Sequence, residues 1–136
     1  YARCCRPIPG DHIVGYLGRG EGLVVHSAEC TVVKKLQHKD SERFITVDWA
    51  EEPTRLFETG VIVTVSNGKG VLGRIAEQLA HSEADITRID MDDEVALDTV
   101  DLRFVIAVRD QTHLETVLRN LRRTTAVLRA NRTLTA

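Results

Sequence analysis

Aromatic residues are scarce in this 136-residue chain, with one Trp, two Tyr and three Phe. A core has to be assembled from aliphatic side chains, and a 43% hydrophobic content is enough for that. Charge of one sign is also lacking. Eighteen Lys and Arg stand against twenty Asp and Glu, a formal net charge of −2, so no whole-chain field selects nucleic acid or an acidic membrane. No run approaches the roughly 18 consecutive apolar residues of a transmembrane helix, and the opening Tyr1-Ala2-Arg3-Cys4-Cys5 lacks the apolar centre of a signal peptide. A cytosolic, globular chain with no membrane partner is the expectation. Cysteine is limited to Cys4, Cys5 and Cys30, an odd number confined to the first thirty residues, unlike the even framework of a secreted disulfide scaffold. Metal ligation or free thiols fit better than structural disulfides. The chain opens on Tyr1 rather than Met, directly before a cysteine pair, and reads as a piece of something longer.

Composition shifts at the acidic, Pro-containing stretch Glu51-Glu52-Pro53-Thr54, which divides the chain into residues 1–52 and 53–136. Upstream, Ile13 to Leu17 and Leu23 to His26 are short apolar runs around Gly18-Arg19-Gly20-Glu21-Gly22, a hairpin pattern. Ser27 is placed to cap a short helix carrying Val32, Val33 and Leu36, and Phe44 to Trp49 is a further strand. This ββαβ-like unit has so few large apolar residues that it needs a metal or a partner. Downstream, Val61, Val63 and Val65 alternate with more polar neighbours as a strand, then Val71, Leu72, Ile75 and Leu79 fall at helical spacing. Ala84 to Met91 is a weaker strand. Val100, Leu102, Phe104, Ile106 and Val108 alternate strictly within Thr99 to Val108, Leu114, Val117, Leu118 and Leu121 form a helical stripe, and Ala126 to Arg132 supplies a last strand. The order βαββαβ closes as a ferredoxin-like layer, which makes the chain α+β. That fold hosts many functions and selects none.

Two stretches narrow the choice: Cys4-Cys5-Arg6-Pro7-Ile8-Pro9-Gly10-Asp11-His12-Ile13-Val14-Gly15-Tyr16, and Gly20 to Cys30 with its His26-x-x-x-Cys30. They resemble the conserved-cysteine, zinc-finger-like module of long RelA/SpoT homologues, which sits just before a C-terminal ACT domain. The second half is similar to that ACT domain in element order and length. Within the family, the resemblance implies a parent enzyme that synthesises and hydrolyses the guanosine tetra- and pentaphosphate (ppGpp) alarmones of the stringent response, as GTP pyrophosphokinase and pyrophosphohydrolase. Its N-terminal catalytic domains need divalent metal and are the implied intramolecular partners. Val14 to Leu17 and Arg103 to Ile106 resemble the SpoT-like or bifunctional branch. This segment itself carries no Walker-type phosphate loop and no His-Asp pair followed by Glu-Asp, so no catalytic residue is assigned.

Three candidate sites follow. Cys4, Cys5, His26 and Cys30 offer the ligand set of a tetrahedral zinc site, although adjacent cysteines are expected to point apart. Packing residues or redox-sensing thiols are the alternatives. Asn67, Gly68, Lys69, Gly70, Val71 and Leu72 join a strand to a helix N-terminus, where glycines let a ligand approach the backbone and unpaired N–H groups face it. ACT domains bind small ligands at this loop across a paired-domain interface, and the resemblance implies a branched-chain amino-acid effector and a homodimer. A plain tight turn is the alternative. Arg119, Arg122, Arg123, Arg129 and Arg132 make a basic last segment that suits ribosomal RNA, or is solvated and complements a helix dipole. A docking module for RNA, ribosome or protein is thus the alternative to a ligand sensor. His12, His38, His81 and His113 have no visible partners and are placed on the surface.

Overall fold

The computed structural model describes residues 1–18, 20, 22–49, 55–66, 70–91 and 98–133. The Glu51 to Thr54 boundary lies outside them. Near the N-terminus, β1 (Ile13–Gly18) pairs antiparallel with β2 (Gly22–Ser27), and Gly20 and Gly22 take φ of 81° and 74° at the turn. Helix α1 (Thr31–Lys39) and a 3-10 turn (Ser41–Arg43) lead to β3 (Phe44–Thr46), which pairs with the free edge of β1. The sheet order is β2-β1-β3. Cys30, not Ser27, occupies the N-cap of α1, and the Ser27 hydroxyl instead accepts from the Glu29 N–H at 3.4 Å. On α1 only Val33 is buried while Val32 is exposed, because adjacent helical residues point about 100° apart. Strand β3 stops at Thr46. Trp49 turns away from it, packs on the second core, and donates from Nε1 to the Asp11 carbonyl at 3.0 Å.

The remainder is β4 (Phe57–Ser66), α2 (Val71–His81), β5 (Asp85–Met91), β6 (Thr99–Val108), α3 (Gln111–Arg122) and β7 (Val127–Thr133). Its sheet runs β5-β6-β4-β7 with every pairing antiparallel, the ferredoxin-like order. Alternation along β4 and β6 sends Val61, Val63, Val65, Leu102, Phe104 and Ile106 to one face. There they meet Ile75 and Leu79 of α2 and Leu114, Val117 and Leu121 of α3 in one buried cluster. Asp110 caps α3, its Oδ1 accepting the His113 N–H at 2.7 Å.

The cores are unequal, and this shapes how the two layers meet. Among the described residues, the hydrophobic cluster of the N-terminal unit is just Ala2, Cys5, Cys30 and Val33, with Cys4, Val14, Val24 and Phe44 partly buried against it, whereas Ile8, fully buried, belongs to the larger cluster. The segment between the cysteine turn and β1 is therefore docked on the second sheet. The Pro9 carbonyl accepts the Gln111 N–H at 2.7 Å, satisfying one of the orphan donors at the start of α3. Arg132, on β7, reaches back to Asp11 with Nη1 to Oδ1 at 2.7 Å and Nη2 to Oδ2 at 2.6 Å.

Candidate metal centre and ligand surfaces

Cys4 and Cys5 lie in a tight turn in which the Arg6 N–H donates to the Ala2 carbonyl at 3.0 Å, and the Ala2 N–H donates to Val25 of β2 at 2.8 Å. An i to i+4 turn of this kind rotates successive side chains by much less than the half-turn of a strand. The expected divergence of adjacent cysteines presupposes extended backbone, and here it does not occur. Cys4 Sγ is 3.9 Å from Cys5 Sγ, 3.6 Å from Cys30 Sγ and 3.4 Å from His26 Nδ1, and Cys5 Sγ is 3.9 Å from the same nitrogen. All four donor atoms lie within 4.8 Å of one another. A tetrahedral zinc with bonds of about 2.3 Å to sulfur and about 2.0 Å to nitrogen sets S···S near 3.8 Å and S···N near 3.6 Å. The donor set fits that geometry and its chemistry, three thiols and one imidazole. His26 is the penultimate residue of β2 and Cys30 is the N-cap of α1, so two regular elements fix one half of the cluster.

Burial tunes these groups. It pushes the Cys5 thiol from 9.0 up to about 12, and it also raises Cys4, which Cys30 nearby raises further. His26 is lowered from 6.5, mainly by burial, and is held neutral as a metal ligand must be. For Cys30 burial acts upward, but the Val33 and Val32 N–H groups at the start of α1, together with the Cys4 and Cys5 thiols, outweigh it and the thiol is lowered. Cys30 is thus the first of the three to give up its proton. The Ser27 N–H donates to Cys5 Sγ at 3.2 Å, an outer contact that orients the sulfur.

The loop assigned to an effector is only partly in view, since Asn67, Gly68 and Lys69 lie outside the described residues. Gly70 is the N-cap of α2 with φ of 77°, a conformation that costs a side-chain-bearing residue about 1–2 kcal/mol. Val71 is buried in the core and Leu72 is partly exposed, so of these last two only Leu72 faces outward.

The basic segment divides. Arg132 is bound to Asp11, Thr59 and the Arg6 carbonyl, and Arg122 donates to the Ala130 carbonyl at 3.0 Å and to Asn131 at 3.2 Å. Arg119, Arg123 and Arg129 remain exposed. His113 is buried, not superficial. Its Nδ1 accepts the Arg109 N–H at 3.0 Å, so the ring proton sits on Nε2 and is donated to the Ser82 carbonyl at 2.6 Å. The sequence contained a signal for this, because His113 shares the i, i+4, i+8 row of Val117 and Leu121. Nothing in the sequence marks Arg6, Asp11 and Arg132 as neighbours.

A ferredoxin-like sheet covered by two helices, joined to a small Cys/His unit, defines the class: an ACT-type domain behind a cysteine module. Residues 1–50 match the RelA/SpoT RIS domain and residues 53–132 the ACT domain. The bifunctional (p)ppGpp synthase/hydrolase SpoT of Escherichia coli K12 is 30% identical over 133 residues, 97% of this chain and 18% of that protein. The bifunctional (p)ppGpp synthase/hydrolase RelA of Mycobacterium tuberculosis is 33% identical over 124 residues, 89% of this chain and 16% of that one. The ACT domain from the GTP pyrophosphokinase of Chlorobium tepidum matches at a TM-score of 0.50 and 18% identity, covering 57% of this chain and 99% of that domain, a likeness of fold. The chain belongs to the RelA/SpoT family, as an RIS domain followed by an ACT domain. It spans about 18% of the length of the SpoT relative. Among the described residues no helix is long and apolar enough to cross a membrane.

Proposed function

We propose that this RIS and ACT pair is the regulatory part of a bifunctional guanosine tetra- and pentaphosphate synthetase/hydrolase of the stringent response, reporting a small ligand or the state of the ribosome to catalytic domains elsewhere in the same polypeptide. The observation that carries the reading is the docked segment Arg6 to Asp11. It begins beside the cysteine cluster and ends in the Asp11–Arg132 pair, so a change in either layer is felt in the other. The effector is a branched-chain amino acid at residues 67–72, supported by the glycine N-cap that leaves the start of α2 open to a carboxylate. Zinc held by Cys4, Cys5, His26 and Cys30 supplies the N-terminal unit with four bonds in place of the apolar core it lacks. Self-association runs through the ACT sheet, whose edge strands expose Ile89 and Met91 on β5 and Leu128 on β7.

The deciding experiment measures alarmone synthesis and hydrolysis by the longer protein and by a version lacking this segment, each with and without valine or isoleucine. Loss of the amino-acid response with basal activity retained supports the sensor. A response that survives deletion, or never existed, overturns it. In that case the exposed Arg119, Arg123 and Arg129 favour a docking module for ribosomal RNA, whose affinity would fall steeply as salt rises.

A further inference from the structure

The face of the ACT sheet turned away from α2 and α3 carries a cavity of about 180 Å3. Through it runs a row of paired positions on three neighbouring strands: Gly60 on β4, Val105 on β6 and Arg88 on β5. Arg103 stands two residues along β6 on the same face, and Arg6 closes the cavity from the cysteine turn. Gly60, the fourth residue of β4, lines the hollow without a side chain. A Cβ on Gly60 would come within 2.9 Å of Thr133 Cγ2 and 3.1 Å of the Thr133 carbonyl.

Three guanidinium groups and one carboxylate, Asp90, surround this hollow. Arg88 is tied to Asp90 at 3.1 Å and Arg6 to Glu58 at 2.7 Å. The exposed Arg103 side chain makes no hydrogen bond or ion pair among the described residues, and Arg6 keeps a buried Nε donor with no acceptor. Positive charge therefore exceeds negative around a recess floored by Val105 and bare glycine backbone. An apolar recess of about 150 Å3 is enough to hold a benzene-sized body. A planar guanidinium matches a carboxylate in a two-pronged bond.

We propose that this cavity is a binding site for a small organic monocarboxylate, its charged end on Arg103 and its short aliphatic body over Val105 and Gly60. The site is distinct from residues 67–72 and stands whether or not that loop binds an effector. Because Arg6 belongs to the Cys4–Cys5 turn and its carbonyl accepts from Arg132, the ligand would touch both layers at their junction.

Isovalerate is the probe, titrated into the isotope-labelled 136-residue chain and followed by amide chemical shifts. Saturable shifts at Gly60, Arg103 and Val105 are expected, with 3-methylbutanamide, the neutral isostere, leaving them unmoved. Arg103→Gln, an exposed substitution, should keep the spectrum of the folded chain and weaken binding about tenfold, with Arg103→Lys in between. The proposal is overturned if isovalerate produces no saturable shift, if the neutral amide binds equally, if acetate binds as tightly, or if Arg103→Gln binds like the parent. Shifts confined to residues 67–72 would also overturn it, while leaving the loop reading intact.

Discussion

Asp11 and Arg132, separated by 121 positions, hold each other through two charge-assisted bonds of 2.6 and 2.7 Å. Their side chains are 8% and 16% exposed, so the pair is largely out of solvent. Arg132 Nε also donates to the Thr59 hydroxyl at 3.1 Å and Nη2 to the Arg6 carbonyl at 3.1 Å, while Asp11 Oδ2 accepts the Ile8 N–H at 2.9 Å. Removing one partner strands the other. Arg132→Ala should lower stability by about 3 kcal/mol in urea unfolding, and Arg132→Lys should recover less than half, since an ammonium cannot make the fork. A loss below about 0.5 kcal/mol would mean that the two layers are not joined here.

The cysteine cluster gives a second prediction. If all four side chains are ligands, the chain purifies with about one zinc per molecule, and Cys4→Ser and Cys5→Ser each lose it. Chelation should then expose the amides of β2 and α1 to hydrogen exchange while α3, whose core does not include the cluster, stays protected. Metal retained in Cys4→Ser but not in Cys5→Ser would reduce the protein ligand set to three.

Without metal, the same residues set a pH window. Cys5 is protonated in the fold up to about 12 but ionises from 9.0 once unfolded, so stability is present below pH 9 and drains away between 9 and 12. His26 is lowered from 6.5, so the unfolded chain takes up its proton first, and stability falls as pH drops below 6.5. Melting temperatures of chelated protein should therefore be highest between these limits. With zinc bound the alkaline loss should vanish, because the thiolates are already formed. Identical alkaline profiles with and without zinc would contradict metal binding by Cys5.

Where a segment lies on one amphipathic surface, its sequence was enough to read it. Thr99 to Val108 alternates without a break because β6 is central and covered on one face, and Val71, Ile75 and Leu79 repeat because α2 buries a single stripe. Legibility ended wherever the answer depended on a second layer. Trp49 leaves the strand pattern because its ring stacks with Tyr1 and meets Phe57 edge-on, contacts that exist only after docking. The adjacent cysteines converge because of a turn pinned by Val25 of β2, which no local spacing encodes. For Asp11 and Arg132 the cause is the same at longer range.

His113 supports a fourth prediction. Its ring links the start of α3 to the end of α2, accepting from the Arg109 N–H and donating to the Ser82 carbonyl. His113→Ala leaves both groups short of a partner beside a cavity and should cost about 2–4 kcal/mol by calorimetry or urea unfolding. His113→Gln, which keeps a donor and an acceptor, should cost less. Equal losses in the two variants would indicate that ring packing, not the two hydrogen bonds, accounts for the effect.

The end of α2 holds a removable strain. The Glu83 N–H donates to Ala80 and the Ala84 N–H to Leu79, a Schellman ending, with buried Ala84 packed in the same core as Leu79. Glu83 takes φ of 61°, where glycine is the usual occupant and another residue pays about 1 kcal/mol or more. Its ion pair with Arg109, at 3.0 Å, has both side chains more than half exposed, so it offsets only a few tenths. Glycine gains freedom in the unfolded chain, which takes back roughly 0.5–1 kcal/mol. Relief of strain should slightly exceed these two losses, so Glu83→Gly raises stability by about 0.5 kcal/mol, whereas Glu83→Val, branched at Cβ, lowers it. A melting temperature that falls in Glu83→Gly would mean that the Arg109 contact outweighs the backbone.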